Sequence, residues 1–517
     1  MFTIAHLGVS MKSILSSLKN KIQSVILVGF AIFFTACNST STKKLDQYAL
    51  IPLPETVTNQ QGALPITSLQ TLSTPQENSY LAQEITAFLQ TEANLRLAWK
   101  SQGDLRFSLD KSLKGSEYYE IKIQTTGIDV RSASDEGLYR AWQTLKQLIL
   151  LADDATKLPT GLISDQPTYS YRGAMLDVAR HFFSISEVKR FIDFLALYKF
   201  NYLHLHLSDD QGWRIEIKSW PQLTTIGGQS EVGGTTGGFY SQKDYQDLVA
   251  YASDRYITII PEIDMPGHTN AALNAYPELN CDGKAPPVHT GIEVGFSSLC
   301  IEKPVTYQFV DDVIRELADI TPGPYIHIGG DETHATPNDQ FIAFIDSILP
   351  KVERYGKTPM GWFETRASNY TGKMVHQYWA NEGNEPQNVK KGNPIVMSPS
   401  SFAYMDMQYD SLSKFGLHWA GYINVRRAYD WDPKSVVPSL PLDDIIGLET
   451  PLWSETISDN KEMDYLLFPR LIGYAEIAWT RSENRAWEAY KKRVTKHLDW
   501  LQTQGVIPYD SPLLKAN

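Results

Sequence analysis

The chain is poor in cysteine and has no surplus of positive charge. It has three cysteines among 517 residues, and 47 Lys and Arg against 59 Asp and Glu give a net charge of −12. Nucleic-acid and anionic-membrane binding need clustered basic residues, so the balance argues against both and fits a neutral partner. With 42% apolar and 21% charged residues, the chain is long enough for two globular domains and does not have the composition of a disordered protein.

Residues 1–37 are predicted to be an export signal. A positive region contains Lys12, Lys19 and Lys21. The apolar stretch "VILVGFAIFF" follows, and "TAC" ends at Cys37. This stretch is too short to be a permanent membrane-spanning helix. Small residues before a cysteine resemble the bacterial lipoprotein signal and predict lipidation of Cys37, although Phe34 stands where Leu is usual. Ordinary secretion with cleavage nearby is the alternative, and Met11 is an alternative start.

The predicted anchor sets the expected location of the protein. Residues 38–46 ("NSTSTKKLD") are polar and suit a tether. We expect an exported protein held in the bacterial cell envelope, in the periplasm or at the outer membrane, that contacts membrane only through its N-terminal lipid. In such an oxidising compartment Cys281 and Cys300 are a plausible disulfide, with two buried free thiols as the alternative.

Residues 47–165 are predicted to form a small α+β domain. The stretch "EYYEIKIQTTGIDVRSA" alternates like two strands joined at residues 125–127, and "DEGLYRAWQTLKQLILL" has the pattern of an amphipathic helix. From Leu50 to Asp165 there is no histidine, which argues against metal or base chemistry there.

Residues 166–505 are predicted to form a TIM (β/α)8 barrel, an α/β fold. Short apolar runs alternate with helical patterns, as in a parallel sheet. Eight runs are candidate strands, the number that closes such a barrel: "GAMLDVA", "NYLHLHL", "ITIIPEI", "YIHIGG", "PMGWF", "MVHQYW", "PIVMSP" and "IIGLE".

The chemistry of such barrels lies at the carboxyl ends of the strands. The fourth run, in "YIHIGGDETH", ends in the adjacent acids Asp331 and Glu332. Each carboxylate raises the pKa of the other, so that one can stay protonated near neutral pH. Other strand ends supply histidines, acids and tryptophans, a combination that suits a sugar, with its C–H faces and its hydroxyls.

Five motifs in order resemble glycoside hydrolase family 20, the β-N-acetylhexosaminidases. They are "RGAMLDVARHF", "HLHLSDDQGW", "PEIDMPGH", "HIGGDE" and "PLWSE", and the preceding domain with "IPLPETV" resembles the α+β domain that often accompanies the barrel. The resemblance implies exo-acting, substrate-assisted retaining hydrolysis of terminal non-reducing β-linked GlcNAc, with GalNAc as a second candidate. It implies an oligosaccharide partner such as chitobiose, no cofactor and no metal.

In the implied mechanism the 2-acetamido carbonyl oxygen of the substrate attacks C1, an exception among retaining glycosidases. Glu332 is expected to be the general acid and then the base. Asp331 is expected to be the ionised neighbour that orients the acetamido group. Asp209 and His268 match a relay behind the acid.

The resemblance also assigns sugar-binding positions. Arg172 matches an arginine that binds the 3- and 4-hydroxyls, and Asp406 and Glu455 match acids near the 4- and 6-hydroxyls. We expect these three to close the far end of the pocket. The tryptophans expected to enclose the acetamido methyl are Trp362, Trp379 and Trp453. Tyr404 is expected to bind the acetamido carbonyl, and Trp419 to stack on the next sugar.

Structural roles and two other functions compete with these assignments. Asp331 could cap the following helix, Arg172 could pair with Asp177, and the tryptophans could be core residues. His204 and His206 are not expected to be catalytic, although with His268 and Asp331 they suggest a metal-dependent amidohydrolase on the same barrel. The other alternative is a sugar-binding lipoprotein without hydrolytic activity.

Overall fold

A computed structural model describes residues 43–152, 154, 156–379 and 391–515. The predicted signal and Cys37 lie outside the described residues. From Lys44 onward the chain groups into one compact unit. Among the described helices, none has the length and apolar character needed to cross a membrane.

The N-terminal domain is built on a seven-stranded sheet with strand order β1-β7-β5-β6-β4-β2-β3. Its strands are β1 (Thr56–Pro65), β2 (Thr71–Ser73), β3 (Ala98–Trp99), β4 (Leu105–Leu109), β5 (Tyr119–Gln124), β6 (Gly127–Ser132) and β7 (Lys157–Asp165). The predicted hairpin is confirmed as β5 and β6, which pair antiparallel from Tyr119 opposite Ser132 to Gln124 opposite Gly127. The other strands were not predicted, because they are short or broken by polar residues.

Two helices accompany this sheet, α1 (Tyr80–Glu92) and α2 (Asp135–Leu150). The predicted helix is α2. It begins after Ser134, whose side chain accepts a hydrogen bond from the Gly137 N–H, as an N-cap serine commonly does. Most of α2 is buried, including Trp142 and Arg140, because the helix is covered by the sheet on one side and by the barrel on the other.

The second domain is a closed barrel of eight parallel strands, which confirms the predicted fold and all eight predicted runs. The strands are β8 (Tyr171–Asp177), β9 (Tyr202–His206), β10 (Thr258–Glu262), β11 (Tyr325–His327), β12 (Thr358–Trp362), β13 (Val375–Tyr378), β14 (Ile395–Met397) and β15 (Ile445–Leu452). Closure is made by β15 pairing with β8. All eight carboxyl ends therefore open on one rim.

Helices connect and cover the barrel strands. They are α3 (Ile185–Leu197), α4 (Gln222–Thr225), α5 (Gln242–Ser253), α6 (Asn270–Ala275), α7 (Pro304–Ile320), α8 (Asn338–Arg354), α9 (Ser400–Ala403), α10 (Asn460–Leu467), α11 (Arg470–Trp479) and α12 (Trp487–Thr503). The two helical patterns predicted from the sequence correspond to α3 and α5.

A long connection after β10 is tied at its ends. Cys281 and Cys300 form a disulfide with a Cα–Cα distance of 4.9 Å, and residues 282–299 between them contain no helix or strand. Within this segment, Gly295 packs so closely on the chain after β11 that a Cβ there would lie 3.0 Å from the Glu332 carbonyl oxygen. The segment therefore contacts the backbone of the predicted catalytic turn.

The two domains are joined by a buried charge cluster at the amino-terminal end of the barrel. Glu117 accepts hydrogen bonds from Arg140 Nε at 2.8 Å and from Arg172 Nη1 at 3.0 Å. Both guanidinium groups are almost fully buried. Despite the cost of burial, the two arginines hold the pKa of Glu117 down to about 2. One carboxylate from the first domain therefore bridges two buried cations, and Arg140 also donates to Glu136 at 3.0 Å.

Replacing Glu117 by Gln is expected to destabilise the protein strongly. The substitution leaves Arg140 and Arg172 without their shared anion, and breaking a buried ion pair from one side costs about 3 to 5 kcal/mol. We expect a clear fall of the melting temperature in differential scanning calorimetry.

The matched control is Glu120→Gln, which removes an ion pair with Arg131, a residue whose side chain is 47% exposed. Exposed pairs contribute about 0 to 1 kcal/mol, so this variant should melt close to the wild type. Equal melting temperatures for both variants would contradict a structural role of the buried cluster.

Candidate active site

Two glycines place the adjacent acids at the rim. Gly329 and Gly330 follow β11 with φ of 65° and 98°. A Cβ on Gly329 would lie 1.8 Å from Asp264 Oδ1, and the Gly330 N–H donates to that same oxygen at 2.9 Å. Because only glycine fits this close approach, the turn delivers Asp331 and Glu332 to the carboxyl end of the barrel.

His268 lies behind both acids. Its Nε2 is 3.8 Å from Asp331 Oδ2 and 3.6 Å from Glu332 Oε2. Asp331 is buried, whereas the Glu332 side chain is 31% exposed. The predicted pair and the predicted relay histidine thus meet at one point, with Glu332 on the side open to solvent.

Two of these residues have a strained backbone. Glu332 and His268 have φ of 44° and 54°, in the left-handed region that residues other than glycine seldom adopt. Such conformations cost on the order of 1 to 3 kcal/mol and persist where surrounding contacts require them. The contacts here aim the two side chains at each other.

A third buried acid, Asp264, affects the ionisation of Asp331. Burial, reinforced by Asp264, raises the pKa of Asp331 well above its usual range. Burial and Glu262 likewise raise the pKa of Asp264, and an oxygen of Asp264 lies within 4.8 Å of an oxygen of Asp331. Two neighbouring carboxyls disfavour each other's charged form, so Asp264 opposes ionisation of Asp331.

Asp209 orients His268 and keeps it charged. Asp209 Oδ1 lies 3.2 Å from His268 Nδ1, and Asp209 Oδ2 lies 2.8 Å from Arg180 Nη2. Burial opposes the charged form of His268, but Asp209 outweighs it and the pKa of His268 is raised to about 9. An imidazolium therefore stands behind the acids near neutral pH.

These groups open on a cavity of about 340 Å³. It is lined by Arg180, Ile292, Val294, Asp331, Glu332, Trp379, Tyr404, Leu417, Trp419, Trp453 and Glu455. Seven of these residues were predicted to bind substrate or to act in catalysis. Ile292 and Val294 come from the segment between the disulfide cysteines.

Acidic side chains meet at one end of the cavity. Burial and Glu455 raise the pKa of Asp406 well above its usual range. Burial also raises the pKa of Glu455, against the opposing effect of Arg180. The guanidinium of Arg180 lies 4.8 Å from the centroid of the Trp453 ring. This end therefore combines a cation, hydrogen-bonding acids and an aromatic face, as a sugar requires.

The aromatic residues form walls at different depths. Trp379 lies at the cavity and donates from Nε1 to Glu364 at 3.0 Å. Trp453 lies beside Tyr404, with ring centroids 6.4 Å apart. Trp362 is 1% exposed and lies beneath Trp453, at 5.8 Å between centroids.

Trp419 differs from the other tryptophans. It is 52% exposed, and its ring lies 6.2 Å from Trp379 and 5.8 Å from Tyr404. It stands at the outer edge of the cavity.

Comparison with protein families matches nearly all of the described chain. Residues 47–166 match "Glycosyl hydrolase family 20, domain 2", and residues 169–482 match "Glycosyl hydrolase family 20, catalytic domain". The chain belongs to glycosyl hydrolase family 20. It is therefore a glycoside hydrolase, and neither the amidohydrolase nor the sugar-binding lipoprotein is supported.

Individual relatives agree with the family. A β-N-acetylhexosaminidase from Cellulomonas fimi is 40% identical over 413 residues, 79% of this chain and 83% of the relative. A structure of a Streptomyces plicatus β-hexosaminidase mutant in complex with product GlcNAc has a TM-score of 0.87 and 41% identity, covering 92% of this chain and 99% of that one. A Vibrio harveyi exo-β-N-acetylglucosaminidase in complex with N-acetylglucosamine has a TM-score of 0.79 and 32% identity, covering 89% and 78%.

Arg172 was wrongly assigned to the sugar site of this family 20 enzyme. It lies near the start of β8, five residues before Asp177, and so about 16 Å from the rim along the strand. It belongs to the interdomain cluster with Glu117. The proposed pairing of Arg172 with Asp177 is also wrong, because Asp177 pairs with Arg180 at 3.2 Å.

The arginine that the strand-end rule should have selected is Arg180. It follows the carboxyl end of β8 in the same motif, "RGAMLDVARHF", and it lines the cavity. Asp264, Glu262 and Glu364 were also missed. Asp264 was recognisable as a second acid in "PEIDMPGH", whereas the sequence contains no sign that Glu262 and Glu364 hold indole groups.

Of the histidines in the metal-binding alternative, His204 and His206 face carboxylates, whereas His268 Nε2 has no hydrogen-bond partner among the described residues. His204 lies 2.9 Å from Glu449 through Nδ1 and 3.0 Å from Glu262 through Nε2. His206 faces Glu262 and Asp209 in the same way. A ring nitrogen that donates to a carboxylate carries a proton and has no lone pair for a metal.

Conservative replacement of the two arginines should separate their roles. Arg180→Lys loses the planar fork that spans Asp177 and Asp209 beside the cavity, and misplacement at this site is expected to lower kcat/KM by about 100-fold. Arg172→Lys is expected to lower the melting temperature while kcat/KM per folded enzyme stays near the wild-type value. Hydrolysis of an aryl β-N-acetylglucosaminide measures kcat/KM, and calorimetry measures the melting temperature. An active Arg180→Lys with an inactive but stable Arg172→Lys would restore the original assignment.

Proposed function

We propose that this family 20 enzyme cleaves terminal non-reducing β-linked GlcNAc, and GalNAc in the same position, with Glu332 as the acid and the substrate acetamido group as the nucleophile. The enzyme is an exo-acting β-N-acetylhexosaminidase. The observation that carries the proposal is the placement of Asp331 and Glu332 on one side of an aromatic cavity, each within 4 Å of the same His268 nitrogen.

Glu332 is suited to proton transfer. Its side chain reaches the cavity and is partly exposed, so it can donate to the leaving oxygen and afterwards accept a proton from water that enters along the same path. General acid–base catalysis of this kind contributes about 10² to 10⁴ in rate. His268, held as an imidazolium by Asp209, stabilises the carboxylate that remains after donation.

Asp331 is suited to hold the acetamido group. Asp331 Oδ1 has no hydrogen-bond partner among the described residues, so it can accept the acetamido N–H, which turns the acetamido carbonyl toward C1. A well-oriented intramolecular nucleophile reaches effective molarities on the order of 10⁵ to 10⁸ M. Negative charge at Asp331 also favours the positive charge that develops as the ring closes.

The walls of the cavity complete the acetamido site. Trp362, Trp379 and Trp453 enclose the methyl group, and the hydroxyl of Tyr404 donates to the carbonyl oxygen. The pKa of Tyr404 is raised well above its usual range by burial and by Asp406, so its hydroxyl keeps the proton that it donates. Trp419 offers an exposed face to the sugar on the leaving side.

Exo-cleavage follows from the closed end of the cavity. Arg180 and Asp406 are 4% and 2% exposed, and with Glu455 they end the cavity at the hydroxyls of the terminal sugar. A volume of about 340 Å³ is near the lower limit of small-molecule sites, about 300 to 1,000 Å³. One sugar fits, and a longer chain at this end does not.

Glu332→Gln should abolish turnover of an aryl β-N-acetylglucosaminide, because the amide has no acidic proton. It should leave binding of a thiazoline analogue of the cyclised intermediate intact, because the amide keeps the shape of the acid. Steady-state kinetics and calorimetric titration measure the two effects. The control is Glu293→Gln on the neighbouring segment, whose side chain is 76% exposed, and it should retain activity.

Two results would contradict the mechanism. Wild-type turnover by Glu332→Gln would remove Glu332 from the acid role. Cleavage of plain aryl β-glucosides at a comparable rate would remove the acetamido group from the nucleophile role, since a sugar without it has nothing to attack C1.

We also propose that the enzyme is exported and anchored in the cell envelope by a lipid on Cys37. The support is the sequence of the first 37 residues, with its positive region, apolar stretch and "TAC".

Cys37→Ala should move hexosaminidase activity from the membrane fraction of the producing cell to the soluble fraction, because the acceptor thiol of the lipid is lost. The neighbouring replacement Ser39→Ala should leave activity with the membranes. Soluble activity in the wild type would instead favour ordinary secretion.

A further inference from the structure

A line of buried ionisable side chains continues below the relay into the barrel. His206 Nε2 lies 2.9 Å from Asp209 Oδ2, and His206 Nδ1 lies 2.5 Å from Glu262 Oε2. Glu262 and His206 are both 0% exposed. Together with His268 and Glu332, these groups form a continuous alternation of carboxyl and imidazole groups that ends at the general acid.

The geometry fixes the charge of His206. Both ring nitrogens face carboxylate oxygens, so both must carry protons for the contacts to be attractive. Burial opposes the charged form, but Glu262 outweighs it and the pKa of His206 is raised well above its usual range. Asp177 adds to the negative surroundings of the ring. His206 is therefore a buried cation whose positive charge offsets the negative charge of Asp209.

Glu262 also holds Trp362, which packs beneath the cavity-lining Trp453. Its Oε1 accepts a hydrogen bond from Trp362 Nε1 at 2.8 Å. Trp362 packs on Trp453, and the His206 ring meets Trp453 edge-on at 4.9 Å. One carboxylate thus contacts both the aromatic wall and the chain that leads to the acid.

We propose that Glu262 and His206 are positioning residues for the reaction, which set the charge and orientation of Asp209 and through it the proton affinity of the His268–Glu332 pair. The inference rests on the proposed role of Glu332 as the acid. Neither residue touches the cavity; both act through Asp209.

Other charged groups surround this chain. Glu262 also faces His204 Nε2 at 3.0 Å and His327 Nδ1 at 2.9 Å. Asp209 faces Arg180 at 2.8 Å. His268 faces Asp210, Asp264 and Asp331 in addition to Asp209 and Glu332. Among the described residues only His206 links Glu262 to Asp209, whereas Glu262 also acts on Asp331 through Asp264.

Glu262→Gln tests the inference. The amide oxygen can still accept from Trp362 Nε1, but the charge that keeps His206 protonated is lost. Asp209 is then less compensated, so His268 and Glu332 hold their protons more tightly. We expect the basic limb of the kcat/KM pH profile to move upward by about half a unit or more, and kcat to fall about tenfold with a smaller change in KM.

Glu449→Gln is the matched control. Glu449 is equally buried in the barrel and contacts His204 Nδ1 at 2.9 Å and Gln377 Nε2 at 2.7 Å, but it has no contact with His206 or Asp209. It should lose stability to a similar degree without moving the basic limb. Equal pH profiles for the two variants would overturn the inference and assign Glu262 a purely structural role.

A measurement on the intact enzyme covers the case in which Glu262→Gln does not fold. Nitrogen-15 NMR of labelled histidine, assigned by comparison with His206→Gln, should show His206 as an imidazolium up to pH 8. Titration of His206 near pH 6.5 would overturn the inference. Failure of the Glu332 assignment is separate, since it appears as turnover by Glu332→Gln whatever the state of His206.

Discussion

Closing eight parallel strands into one barrel is the constraint on which the rest of the molecule depends. Each strand must run in the same direction, so the residues that end the strands converge, however far apart they lie in the chain. Asp331 and Glu332 after β11, His268 after β10 and Arg180 after β8 meet for this reason. The rim is crowded with acids: some, such as Asp209, lie beside a buried cation, and others, such as Asp264 and Asp406, have a raised pKa that favours the neutral form.

The interior of this barrel departs from the usual filling of branched apolar side chains. His204, His206, Glu262 and Glu449 point into it and are fully buried. His206 bridges two carboxylates through hydrogen bonds at both ring nitrogens, and His204 bonds Glu449 through Nδ1, which satisfies polar groups whose burial would otherwise cost several kcal/mol each. The same contacts influence where the protons lie, so the barrel interior affects the charges of the active site as well as its geometry.

Much of this was predictable from the sequence, and the limits are physical. The eight barrel strands were found because each is a short apolar run between helical patterns, and the catalytic pair was found because adjacent acids after two glycines have no structural use. Arg172 was misplaced because a motif match does not say at which end of a strand a residue stands; strand direction does, and it selects Arg180. Glu262 was hidden by its place in the apolar run "ITIIPEI", where nothing local shows that it accepts an indole N–H and two imidazole N–H groups.

The ionisation of the catalytic pair shows the same limit. Adjacency in the sequence indicates that one carboxyl keeps a proton, but which one depends on burial and on Asp264, a residue 67 positions before Asp331 in the sequence. Glu332 is partly open to solvent, and burial raises the pKa of Asp331. The different roles of Asp331 and Glu332 thus follow from their different depths of burial.

The segment between Cys281 and Cys300 gives the cavity a rim that has no secondary structure of its own. Ile292 and Val294 face the sugar site from this segment, and Gly295 lies against the backbone of Glu332. Such a rim can change in sequence without disturbing any strand or helix, provided that its two ends stay fastened. Sequence changes that alter which glycans are accepted can therefore accumulate in this disulfide-closed segment, while the residues that transfer the proton stay unchanged.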